Sequence, residues 1–246
     1  MKGTALVLRG TVRSGVRLRA VAIVTTGGAI ICVVGLAVLF GTQFIGPQLA
    51  LASPDMSVVE NFLGLILFTT SFISMGIPVS VLAFQSLARE KARGTITAVL
   101  ATPLEPADLW LGKSIGVLVP GLLFAQVMTV ASFVGLHLVY LRPVQGLVVT
   151  PWTLASCFIA VPLLYLALSL LVHLIGLVGA PGTANVVAQV FLHVVTALMI
   201  NLAVRQVPDA GSWAFTAILL GLAAMLGVAV RVGLPRLTVE RIVLSR

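Results

Sequence analysis

The chain has 246 residues, 59% of them hydrophobic and only 9% charged, and its mean hydropathy is +1.17. Water-soluble globular domains carry roughly 25% charged residues, so this composition excludes that class and leaves a single membrane-embedded domain. The net charge of +8 comes without an aromatic-interleaved basic patch, which excludes nucleic acid as a partner.

The apolar runs do not alternate with a period of two, as the strands of a membrane β-barrel must. A helical bundle is therefore expected. Cys32 and Cys157 sit in uncharged runs without CxxC or His spacing. They read as small buried apolar side chains rather than a disulfide or metal ligands.

Residues 1–19 hold Lys2, Arg9, Arg13, Arg17 and Arg19 and no acid. The i, i+4, i+8 spacing of Arg9, Arg13 and Arg17 lines one helix face, opposite Leu6, Val7 and Leu18, and describes an interfacial helix. The uncharged run after Arg19 lasts until Asp55, far longer than the apolar core of a signal peptide, so the segment is expected to be retained. A first span is expected at 20–41, with Gly46-Pro47 and Ser53-Pro54-Asp55 breaking the helix after it. The second, 61–88, contains Pro78 as an expected kink. The third covers 106–141 and ends at Arg142-Pro143.

Residues 143–204 are 62 positions without a formal charge. At about 1.5 Å per residue they exceed a bilayer core roughly threefold, so they must fold back on themselves. The hairpin is expected at Gly176–Gly182, giving spans 152–177 and 184–204, and a sixth span follows at 214–230. With both ends placed inside, segments 1–19, 86–113 and 231–246 hold 13 of the 15 Lys and Arg residues. That asymmetry orients the chain with both termini cytoplasmic in the cell membrane.

One polar stretch interrupts the apolar chain. Gln85 to Lys113 holds seven of the 22 charged side chains. Gly94 can take the left-handed conformation that ends a helix. Ile96, Val99 and Leu100 then fall at i, i+3, i+4, a short amphipathic helix that Thr102-Pro103 stops. Glu105-Pro106-Ala107-Asp108 starts the next helix, with proline in the first turn and acids where the helix dipole favours them.

These residues resemble the signature of ABC-2 type transporter permeases. The match lies in Arg89-Glu-Lys-Ala-Arg-Gly-Thr95, Val99-Leu-Ala-Thr-Pro-Leu104 and Leu111-Gly-Lys113, and the basic-acidic tail Arg236–Arg246 is similar too. Two places depart from the pattern, Ala92-Arg93 and Thr97, where the family often carries a glutamate. The resemblance implies an all-α integral membrane fold with six transmembrane helices, an N-terminal interfacial helix and a cytoplasmic coupling helix between spans two and three. It implies that Glu90, Arg93, Gly94, Thr95, Ile96, Val99, Leu100 and Pro103 form the loop that docks on a separate ABC ATP-binding subunit. It further implies a second permease copy, with ATP and Mg held by the partner ATPase.

Gly112-Lys113-Ser114 copies the end of a Walker A motif, but the first glycine of that motif would fall at Ala107. The chain is therefore expected to bind no cofactor of its own. On the fifth span Asn185, Gln189, His193 and Thr196 cluster within about 80° of helical arc and form a candidate translocation surface; interhelical hydrogen bonding is the competing reading. Tyr165, Ser169 and His173 repeat the pattern on the fourth span, and Thr69, Thr70, Ser71 and Ser74 lie on the second. Every acid sits in a loop or at a span edge, which argues against a proton relay and against a membrane-embedded enzyme. The expected function is the permease subunit of an ATP-driven exporter, with a secondary transporter or channel independent of an ATPase as the alternative.

Overall fold

Long apolar runs in lipid must satisfy their own backbone hydrogen bonds, and helices do so locally. The computed structural model describes residues 4, 7, 19–51, 53, 55–92, 94–102, 104–141, 149–179, 186, 190, 194, 197, 198, 201, 205 and 209–244. Among the described residues the fold is all-helical, without a strand.

Helix α1 (Arg19–Phe40) continues through a π-helical turn (Gly41–Ile45) into α2 (Gly46–Leu49). The break expected at Gly46-Pro47 does not occur there. Pro47 follows the π-helical turn, where the wider backbone spacing accommodates a residue that cannot donate, and the chain leaves the helix only at Ala50. A Cβ on Gly41 would stand 2.7 Å from Tyr140 Cε2, so the absent side chain lets that ring lie against the turn.

Helix α3 (Met56–Ala92) has 37 residues and runs through Pro78 without interruption. It starts five residues earlier than expected, because Asp55 accepts hydrogen bonds from Ser57 N (3.0 Å) and Ser57 Oγ (2.7 Å) at its first turn. At 1.5 Å per residue α3 is about 55 Å long, so it outruns a bilayer core of about 30 Å and carries its polar end beyond it. The short α4 (Thr95–Leu100) follows, then α5 (Pro106–Leu136), which ends in a π-helical turn (His137–Leu141). The next span combines α6 (Pro151–Ala155), a π-helical turn (Ser156–Ala160) and α7 (Val161–Val178). The wider turn falls where Pro162 cannot donate to the preceding turn. Helix α8 (Trp213–Gly233) begins at Ser212, whose Oγ accepts from Phe215 N at 3.2 Å, and a 3-10 turn (Leu234–Arg236) leads to α9 (Val239–Leu244).

Five of these helical segments are long and apolar enough to cross a membrane, among the described residues. The span expected at 184–204 falls mostly outside them. Its described residues Val186, Val190, Val194 and Leu198 are helical and exposed.

Helix α3 packs against α1, α5 and α7, and α7 against α5 and α8. Burial follows from that order: 61% of the α3 span and 56% of the α6–α7 span are buried, against 22%, 28% and 17% for the α1, α5 and α8 spans. The peripheral helices turn Ile31, Val127, Val139 and Val228 outward, the faces that a bilayer would cover.

Polar side chains on the central helices are used between helices. Ser71 Oγ donates to Cys157 O at 3.0 Å, Tyr165 OH to Phe72 O at 3.0 Å and Ser169 Oγ to Ser114 O at 2.9 Å. Ser156 and Thr216 hydroxyls pair at 2.8 Å. Such bonds hold membrane helices together where hydrophobic burial supplies little net drive. Cys157 is buried as expected, but Cys32 is exposed, because α1 touches the bundle along only one side.

Candidate coupling loop

The polar stretch folds as helix, break, short helix, break, helix. Gly94 has φ 69°, and its N–H donates to Lys91 O at 3.0 Å, ending α3 in the left-handed conformation that strains other residues. Ala98 N donates to Gly94 O at 3.3 Å to begin α4, and Thr102 N donates to Val99 O at 3.1 Å to close it. Glu105 is extended, Pro106 takes the first turn of α5 and Asp108 lies in that turn. The two breaks set α4 apart from α3 and α5.

Each face of α4 has a distinct character. Ile96 is 3% exposed, and Val99 and Leu100 are half-buried. They join a cluster with Leu109 and Trp110 of α5, Leu174 and Leu177 of α7, Val230 of α8 and Ile242 of α9. Trp110 Nε1 also donates to Leu170 O at 2.9 Å. Among the described residues, Thr95 and Ala98 of α4 and Ala101 and Thr102 just past its end are exposed, small and uncharged.

Two cations brace the loop from beneath. Lys113 is 4% exposed, and its Nζ forms an ion pair with Glu90 Oε2, whose side chain is 30% exposed. Lys91 Nζ donates to Gly179 O at 2.5 Å and so ties the end of α3 to the end of α7. Burial pushes the Lys91 amine below its ordinary 10.5. At the start of α5, Thr4 Oγ1 donates to Asp108 Oδ1. A Cβ on Gly112 would lie 2.7 Å from Val7 Cβ, so the absence of a side chain there admits Val7.

Of the residues expected in the loop, Glu90, Gly94, Thr95, Ile96, Val99 and Leu100 converge on this one end of the bundle. Arg93 and Pro103 lie outside the described residues, as do Asn185, Gln189, His193 and Thr196 of the expected fifth-span stripe. Gly112-Lys113-Ser114 lies inside α5, so its backbone N–H groups serve the helix instead of forming a phosphate cradle. Among the described residues no group of three or more His, Cys, Asp or Glu side chains could hold a metal ion. His173 is fully buried, with Nδ1 on Ser169 O at 2.8 Å and no hydrogen-bond partner at Nε2.

Sequence reasoning did not foresee the Glu90–Lys113 pair. The signal was present: a lysine within a lipid span needs a carboxylate, and Glu90 stands at the facing end of the preceding helix. The roles of Val7 and α9 in the cluster had no local sequence signal, since both depend on tertiary placement. Comparison with models of known families, with curated proteins and with solved structures gives no match.

Proposed function

We propose that this chain is the membrane-spanning subunit of an ATP-driven exporter, similar to ABC-2 type permeases, and that α4 is its coupling helix. The observation that carries the reading is the two-faced α4. Its apolar side is packed on four other helices, and its outer side offers a small, uncharged surface such as a partner groove accepts. A push on α4 is transmitted to α3 and α5 through the Gly94 and Glu105 turns, and to α7, α8 and α9 through the cluster around Ile96. On this reading two copies of the chain and two ATPases form the transporter, in the cell membrane with both termini cytoplasmic. ATP and Mg are held by the ATPase alone, and the fifth-span residues Asn185, Gln189, His193 and Thr196 line the substrate path.

Ser71, Tyr165 and Ser169 of the central helices are engaged in interhelical bonds. The test is to find whether a neighbouring reading frame encodes a Walker A ATPase without membrane spans, and to purify the chain with it. The two are expected to co-purify in detergent, and the chain is expected to stimulate ATP hydrolysis. Gly94→Val, which forces a β-branched side chain into a left-handed conformation, is expected to insert normally and lose most of that stimulation. Failure to co-purify, or full stimulation by Gly94→Val, contradicts the proposal.

A further inference from the structure

A cavity of about 320 Å³ opens between the end of α7 and the end of α8. Its walls are Leu171, Ile175 and Val178 on one side and Ala229 and Val232 on the other, with Arg236 at its edge. Leu174 and Gly233 also border it; a Cβ on Gly233 would stand 2.7 Å from Leu174 Cδ2, so the two helices touch at that point. Val232 is 68% exposed and Arg236 is exposed, so the cavity is an open groove on the outer side of the bundle.

The groove has room for about ten waters, but walls of this kind offer them few hydrogen-bond partners. An aliphatic chain fits the lining better. Charge surrounds one end of it. Arg236 borders the groove directly, and Gly179, another lining residue, has its carbonyl bonded by Lys91 Nζ at 2.5 Å. No lining residue is acidic. Apolar walls leading to cations at the end of membrane helices match the chemistry of a phospholipid, with acyl chain within and phosphate at the rim.

We infer that this groove binds an anionic phospholipid from the surrounding bilayer, its acyl chain against Val178 and Val232 and its phosphate on Arg236 and Lys91. The inference rests on the membrane placement of the helices and not on the ATPase reading. The test contains no second protein and does not depend on which way the chain is inserted.

The full chain in detergent is titrated with dioleoyl phosphatidylglycerol or dioleoyl phosphatidylcholine, and bound lipid is counted by native mass spectrometry. Two cations at the rim predict about tenfold tighter retention of the phosphatidylglycerol. Arg236→Gln is expected to bring it close to the phosphatidylcholine level, and Val232→Trp, which fills the groove and leaves Arg236 in place, to weaken both. Arg241→Gln, on exposed α9 and not part of the lining, is expected to keep the preference. Protection of the buried Cys157 from a thiol reagent checks that each variant is folded. Equal retention of the two lipids by the unmodified chain means only an unselective lipid annulus and overturns the inference. So does an undiminished preference in Arg236→Gln, or unchanged binding of both lipids in Val232→Trp.

Discussion

The Glu90–Lys113 pair offers the sharpest quantitative test of how the loop is held. Lys113 has only 6% of its side chain exposed and Glu90 has 30%, so the two partners are desolvated unequally. Removing one member of a fully buried ion pair costs about 3–5 kcal/mol, because the other charge is left uncompensated. Water reaches nearly a third of the Glu90 side chain, which screens the pair, so Glu90→Gln is expected to cost about 2 kcal/mol. Lys113→Met leaves a carboxylate that can rehydrate and is expected to cost less, about 1 kcal/mol. The double variant leaves no charge unpaired, so its loss is expected to fall short of the sum by about 1 kcal/mol. For a chain of this length 1 kcal/mol moves the unfolding midpoint by about 2–4 °C, which gives roughly 4–8 °C for Glu90→Gln. Buried Cys157 supplies the assay: a thiol-reactive fluorophore reports its exposure on heating, in a Cys32→Ser background because Cys32 is exposed. Strict additivity of the two single variants would refute the pairing.

Two further outcomes follow from the same packing. Gly112→Leu is expected to displace Val7, since even a Cβ would collide with it. A cysteine placed at Val7 should then pass from protected to reactive, while no change in its reactivity would place Val7 elsewhere. At the start of α3 the Ser57 hydrogen bonds hold the Asp55 carboxyl below its ordinary 3.8. Its folded-state value is depressed, so its contribution is present above 3.8 and is lost as the pH falls through the folded value. Asp55→Asn should flatten the acid limb of a stability profile below pH 3.8, and an unaltered limb would show that the cap does not form.

Much of the fold was legible because lipid forces it. Uncharged runs had to be helices, and their lengths gave the spans α1, α3, α5, α6–α7 and α8 within a few residues. The loop was legible for a different reason: Gly94, Pro106 and the Ile96, Val99, Leu100 spacing each impose a local conformation that needs no tertiary support. The misplaced boundaries share a physical cause. Gly46-Pro47 was read as a break, yet the π-helical turn before it accommodates the missing donor, so the helix runs on to Leu49. The start of α3 shifted because Asp55 acts as a cap, which outweighs the polar character of Glu60. Cys32 came out exposed because in a membrane protein an apolar position can face lipid as readily as the core. The partner of Lys113 and the docking of Val7 and Ile242 beneath α4 are contacts between distant segments, and no local pattern encodes them.

The central claim is that the outer face of α4 meets a soluble ATPase. Photo-cross-linking from single positions tests it most directly, with a benzophenone reagent on cysteine at exposed Ala98, and at Val127 on the exposed face of α5 as control. A cross-link to the co-expressed ATPase is expected from Ala98 and none from Val127. Cross-linking from neither position while the ATPase remains bound, or from Val127 alone, would contradict the claim.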